Sequence, residues 1–203
     1  MPSEGLTLNP VDVPEVGGDD LDAAVVSARA GDESGFALLW QALHPALLRY
    51  FVVCGDEAPE DVAAETWLQV VRGLSGFEGG AAAFRSWLFA IARNRAIDQG
   101  RARARRPRTV GVDDPTELGS PELSPSAEQH ATDNEATARA LRLVSTLPPA
   151  QAEMVALRVI AGLDVAEVAR LLGKRPGTVR VTVHRALRSL AEHPEIRSIR
   201  KAV

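Results

Sequence analysis

Between Pro107 and Ala136 the sequence holds four prolines, and its apolar residues follow no period. Such a stretch is expected to be a linker, and at ~30 residues it is long for a loop within one compact domain. The chain is therefore expected to divide there, so that each flank buries a core of its own. A length of 203 residues suits two small domains. Ala, Leu, Val and Arg dominate, which favours helix, and neither strand-like alternation nor an internal repeat is present. The expected fold class is all-α: two small helical domains, separately packed and joined by a flexible acidic linker, with a helix-turn-helix in the C-terminal one. The expected divisions are a disordered tail at 1–19, a helical domain at 20–106, the linker at 107–136, a second helical domain at 137–193 and a tail at 194–203.

Charge sharpens this division. The net charge of −4 conceals four alternating blocks. Residues 1–84 carry a net −11, 85–108 carry +7, 109–138 carry −7, and 139–203 carry +7. Two basic blocks separated by an acidic one are the footprint of a polyanion gripped at two places.

Other chemistries find little support. No run of ~18 apolar residues marks a membrane span, and the acidic N-terminus lacks a signal pattern, so a cytoplasmic chain is expected. Cys54 is the sole cysteine, which excludes an intrachain disulfide and a multi-cysteine zinc site and suits a small core residue. His44, His130, His184 and His193 are scattered without metal-ligand spacing, and no phosphate loop or nucleophile motif occurs. Neither a metal, a cofactor nor an enzymatic activity is expected.

In the N-terminal part, DDLDAAVVSARAG opens on acids that suit a helix N-terminus and stops at Gly31. Phe36, Leu39, Trp40, Leu43, Leu47 and Tyr50 recur every three or four residues as a core-facing stripe, which continues beyond a kink at Pro45. PEDVAAETWLQVVRGL supplies a third helix. On it Asp61, Glu65, Leu68 and Arg72 share one face, opposite Trp67, Val70, Val71 and Leu74. FRSWLFAIARNRAIDQGR begins the fourth, whose apolar face is Phe84, Trp87, Leu88 and Ile91. Asn94, Asp98, Arg101 and Arg105 prolong nearly the same stripe, offering donors to bases and phosphates, and aromatics can stack on unpaired bases. Asp98 is expected to pair with Arg95 or Arg101.

The most specific signal is LDVAEVARLLGKRPGTVRVTVHRALRSL. Asp164 and Glu167 have capping-box spacing, Ala169 is small where helices cross, Gly173 permits a tight turn, and Val179 returns the second helix to the core. This is the pattern of a helix-turn-helix whose second helix enters the major groove. That helix is expected from about Pro176 to Leu190, with helices resuming after the linker near Glu135. Lys174, Arg175, Thr178, Arg180, His184, Arg185 and Arg188 are its candidate DNA contacts, those nearest its N-terminus being best placed for base edges.

EDVAAETWLQVVRGL, FRSWLFAIARNRAIDQGR and LPPAQAEMVALRVIAGLDVAEVARLLGKRPGTVRVTVHRAL, in that order, resemble bacterial RNA polymerase σ factors of the extracytoplasmic-function group. The resemblance covers about residues 20–192. It implies that the first domain binds core RNA polymerase and melts the −10 promoter element, and that the second reads the −35 element. By the same resemblance Asp61 and Glu65, with Leu68 and Arg72 on their face, dock the clamp helices of the largest polymerase subunit. Ser75–Ala83 matches a loop that receives a flipped base. Trp87, Asn94 and Asp98 fall at the −10 element, with Arg93, Arg95, Arg101, Arg103, Arg105 and Arg106 on the DNA backbone, and the linker follows the RNA exit path. An anti-σ partner is the family's usual control. Ala64 replaces a frequent Gln on the docking helix, and Arg180-Val181-Thr182 replaces the usual Lys-Ser-Arg, so the −35 preference does not transfer. The residues also fit a stand-alone helix-turn-helix regulator with a sensing or dimerising N-terminal domain, which would bind a symmetric duplex site without polymerase.

Overall fold

A computed structural model describes residues 18–105 and 125–197. The expectations for 1–17, 106–124 (including Arg106) and 198–203 lie outside the described residues. The helices are α1 (Gly18–Arg29), α2 (Glu33–Val53), α3 (Pro59–Leu74), α4 (Ala81–Arg105), α5 (Pro125–Ser145), α6 (Pro149–Val155), α7 (Val165–Leu172) and α8 (Pro176–Ala191). A π-helical turn, Ala156–Ile160, prolongs α6.

The organising element is α2. Asp32 caps it, its carboxylate accepting from the Ser34 N–H at 2.9 Å, and the helix continues through Pro45. Leu39, Leu43, Leu47 and Tyr50 are buried as the periodicity predicts. Trp40 is not: it lies 42% exposed at the edge of the stripe and stacks on His44 with ring centroids 4.3 Å apart. By length and composition this 21-residue helix could cross a membrane, although Gln41, His44 and Arg49 interrupt its apolar run. Here it is the centre of a helical core, with α1, α3 and α4 packed around it. Gly35 makes the α1 contact possible, because a Cβ there would meet the Ala28 amide nitrogen at 2.7 Å and the Ala24 carbonyl oxygen at 2.9 Å.

Helix α3 follows Pro59 at its first turn and buries Val62, Ala63, Trp67, Val70 and Leu74. Val71, expected on that inner face, is instead 54% exposed, beside Leu68 at 57%. At 100° per residue Val71 stands at the margin of the buried arc, so a period of three and four does not settle its side. The α4 N-terminus is capped from α1, where Asp22 Oδ1 accepts from the Ala81 N–H at 2.6 Å.

Two expectations about the second half are corrected. Helix α5 begins at Pro125, about ten residues before the expected resumption near Glu135, so part of the expected linker is helical. PSAEQHATDNEATARALRLVS has its only proline at the first position and no glycine; absent apolar periodicity conceals a helix whose first turns carry few apolar residues. The two helical units are also not separately packed. Helices α5 and α6 and the π turn rest against α2, and one continuous apolar cluster takes in Tyr50, Phe51 and Phe89 with Met154, Leu157 and Val179.

His44 introduces a pH dependence. It is half-buried, and its Nδ1 accepts from Trp67 Nε1–H at 3.2 Å, an arrangement that requires a neutral imidazole. Burial lowers its pKa, with Glu60 opposing weakly. The folded state thus binds the proton less readily than the unfolded chain, whose histidine titrates near pH ~6.5, so stability is full above that value and falls as pH is lowered through it. Urea melts at pH 7.5 and 5.5 should show lower stability at the acid end, and His44→Gln should flatten that difference.

Candidate nucleic-acid interface

The helix-turn-helix is built as its sequence requires. The Asp164 carboxylate accepts from the Glu167 N–H at 2.8 Å and the Glu167 carboxylate from the Asp164 N–H at 2.8 Å, forming both halves of the capping box. Ala169 is buried, α7 ends at Gly173 with φ 62°, and Val179 is fully buried. Arg175 precedes Pro176 in extended backbone, as a residue before proline prefers.

Every candidate residue on this unit reaches solvent: Lys174, Arg175, Thr178, Arg180, His184, Arg185 and Arg188 are all exposed. Arg188 is partly engaged, its Nε 3.3 Å from Glu192 Oε1. Val179, Val183, Ala186 and Leu190 form the buried face of α8. Projected at 100° per residue, Val181, His184, Arg185 and Arg188 lie on the opposite side. Val181 is not among the expected contacts, yet it is 48% exposed near the middle of this cationic face. Its polar neighbours hide it, since an apolar residue beside Arg180 reads as core.

The α4 candidates separate into two groups. Asn94, Asp98 and Arg101 are exposed and share one side of the helix. Asp98 pairs with Arg101 at 3.7 Å, one of the two expected partners. The side chains of Arg103 and Arg105 lie outside the described residues. Trp87 is half-buried at the start of the same side, stacked on Phe77 of the expected base-receiving loop with centroids 5.0 Å apart. Its ring also closes over Gly73 of α3, so it anchors the loop to the core as well as facing outward.

Arg93 and Arg95 depart from that stripe. Arg93 turns to the second unit, where its Nε meets Glu153 Oε1 of α6 at 2.9 Å. Arg95 leans onto α3, donating to Gln69 Oε1 at 2.9 Å with Nη1 3.7 Å from Glu65. Helical spacing explains both: 93 and 95 project well away from 94, 98 and 101 on the wheel, so a cluster of arginines in sequence is not a cluster in space. On α3, Asp61, Glu65, Leu68 and Arg72 are exposed on one face as expected. Glu65 is shared with Arg95, and Val71 adds an apolar margin to that face.

Two further groups, on α2 and just beyond its end, are shifted by their surroundings. Cys54, expected as a small core residue, is instead exposed just after the end of α2, although partial desolvation of its sulfur beside Tyr50 pushes the thiol up to about 12, which keeps it protonated near neutrality. Burial likewise raises Tyr50 well above its ordinary range. No cluster of three or more His, Cys, Asp or Glu able to hold a metal occurs among the described residues.

Comparison with known proteins fits this geometry. Residues 39–106 match the Sigma-70 region 2 family and residues 137–190 the Sigma-70 region 4 family. The ECF RNA polymerase sigma factor SigD of Mycobacterium tuberculosis is 32% identical over 181 residues, covering 86% of this chain and 84% of that protein. ShbA of Streptomyces griseus, also an ECF RNA polymerase sigma factor, is 34% identical over 182 residues, covering 85% of this chain and 95% of its own. BldN of Streptomyces coelicolor, of the same description, is 34% identical over 170 residues, but the chain spans 63% of its length. Among solved structures, CnrH in complex with the cytosolic domain of CnrY gives a TM-score of 0.57 at 22% identity, covering 84% of this chain and 94% of that one, a likeness of fold.

The left-handed turn offers a direct test of the helix-turn-helix. Nothing lies within 4 Å of a Cβ built at Gly173, so Gly173→Ala meets only backbone strain at φ 62°. That substitution should cost ~1–2 kcal/mol of stability, and Gly173→Asn less, read as urea midpoints.

Proposed function

The chain belongs to the ECF group of RNA polymerase sigma factors, and from that premise we propose how its surfaces divide the work of promoter recognition. It directs RNA polymerase to promoters. The exposed α3 face of Asp61, Glu65, Leu68 and Arg72 docks core polymerase, with Val71 as its apolar margin. The α4 stripe of Trp87, Asn94, Asp98 and Arg101, continued in sequence by Arg105, meets the −10 element, where extruded bases are captured by stacking and hydrogen bonding. Helix α8 enters the major groove at −35.

The observation that carries the proposal is that two polar or cationic faces, on separate units, both point to solvent with their apolar counterparts buried. A solvated helical bundle has no need of five cationic side chains on and just before one short helix. The protein acts through binding alone, in the cytoplasm where chromosomal promoters lie, and performs no covalent step. Control by an anti-sigma protein belongs to the same proposal, because these faces are the surfaces such a partner would cover.

Gel shifts with and without core polymerase test the division. Specific promoter binding is expected only when core is present. Asp61→Lys with Glu65→Lys should abolish the core-dependent shift without unfolding the chain. Tight binding of the free chain to a palindromic duplex would instead support the stand-alone regulator.

Val181 adds an expectation about sequence. An apolar side chain among arginines on a major-groove helix suits the thymine C5-methyl, the apolar group on a base edge there. With a −35 duplex selected by the holoenzyme, replacing the contacted thymine by uracil should weaken binding about 3–10-fold, on the order of one buried methyl group. Val181→Ser should be indifferent to the same change.

A further inference from the structure

Helix α4 opens without a cap of its own. Its start reads Gly79-Gly80-Ala81-Ala82-Ala83, which offers no side-chain oxygen to the first N–H groups and no acid in the first turn. The acceptor comes from α1, where Asp22 Oδ1 takes the Ala81 N–H at 2.6 Å. A carboxylate there is favoured by the positive end of a 25-residue helix as well as by the bond itself. Gly80 is matched to the same contact, because a Cβ at that position would collide with Asp22 Oδ1. Asp22 is exposed, and its own helix has other acids at its start, with Asp19 and Asp20 in the first turn of α1.

What Asp22 holds is the far end of the loop between α3 and α4. The near end is fastened by two turn hydrogen bonds, Gly76 N–H to the Gly73 carbonyl at 3.2 Å and Phe77 N–H to the Leu74 carbonyl at 3.1 Å. Phe77 then folds onto α4, stacked on Trp87 and edge-on to Phe84 at 5.6 Å. The backbone next passes through Gly79, at φ 130°, where a Cβ would meet Ala83 Cβ at 2.8 Å. Loop, aromatic pair and first turn of α4 thus form one assembly, and α1 braces it from outside. That brace is itself seated by the close crossing at Gly35. It lies before residues 39–106, the part that matches Sigma-70 region 2.

We propose that Asp22 is a positioning residue for promoter opening: from α1 it fixes the loop and Trp87 in the arrangement that receives an extruded base. The promoter consequence rests on the sigma-factor reading, whereas the bracing of the loop does not. Unpairing a base costs free energy that its new pocket must return. A loop ordered in advance loses none of that return to its own ordering. Loss of the brace therefore slows the opening step and spares the earlier ones, since the hydrogen bond engages neither the exposed α3 face nor α8.

Two measurements test it, each with Asp22→Ala, Asp22→Asn and Gly80→Ala. In the free chain, amide hydrogen exchange across residues 77–83 should quicken about 3–10-fold in Asp22→Ala, the size of a lost helix cap. With core polymerase, at a promoter that the wild type opens, the isomerisation rate should fall by a similar factor. Core affinity and the closed-complex binding constant should not change, a split that general destabilisation does not produce. Asp22→Asn, which keeps an acceptor oxygen at the same reach, should recover most of both losses. Gly80→Ala displaces the carboxylate from the other side and should reproduce them, and adding Asp22→Ala should deepen neither. Circular dichroism checks folding, and Gly80→Ala stands in should Asp22→Ala fold poorly. Exchange left unchanged by the substitution would overturn the brace. Opening unchanged despite faster exchange, or core affinity lost in step with opening, would overturn its role in promoter opening. A wild type that opens no promoter with core contradicts the sigma-factor reading instead, and the exchange result still decides the brace.

Discussion

Burial of α2 is the interaction on which the other surfaces depend. Leu47, Tyr50 and Phe51 are withdrawn completely from water, and each such side chain contributes ~1.5–3 kcal/mol of apolar transfer free energy. Around this helix α1, α3 and α4 are packed, and the second unit rests against it through α5, α6 and the π turn. Once α2 is fixed, the direction of the exposed face of α3 and of the outward stripe of α4 is fixed with it. Their apolar sides are committed to α2 and to each other, and their polar sides must face solvent.

Electrostatics then decides what those solvent faces can meet. The first unit exposes Asp61 and Glu65 on α3 and Asn94 and Arg101 on α4, so a single small body presents surfaces of different charge. Arg95 lies between them, held by Gln69 and near Glu65, and so is less free to move than an arginine in water. The second unit is simpler. Its recognition helix is held by apolar contacts at Val179, Val183, Ala186 and Leu190, while the cations around them remain solvated. Affinity for DNA from such a face is strongly dependent on salt, and specificity comes from the few side chains that reach base edges.

A residue is legible in the sequence where its role is set locally. Asp164, Glu167, Ala169, Gly173 and Val179 declare themselves because capping, close crossing and a left-handed turn each demand a particular chemistry. Leu39, Leu43 and Leu47 follow from helical period alone. Residues whose role is fixed by another helix escape such reading. Trp40 satisfies the period but sits at the margin of the buried arc, and Val71 does the same on α3. Gly35 is meaningful only because α1 crosses there. In sequence Arg93 is one of a row of arginines expected to meet DNA, whereas its direction is set by Glu153, sixty residues away. Pro125 reads as linker punctuation although it is equally suited to opening a helix, and nothing apolar follows closely enough to say so. Val181 is masked by polar neighbours that are easier to assign.

The central claim is one function carried out in two places, holding core polymerase while opening the duplex. Permanganate reactivity of thymines in a promoter recovered by transcription from a genomic library measures this most directly, with core enzyme and chain added separately and together. Reactive thymines around −10 are predicted only in the combined reaction, along with run-off transcript. A promoter that is bound by the combination but keeps its −10 thymines unreactive, or that opens equally with core enzyme alone, would contradict it.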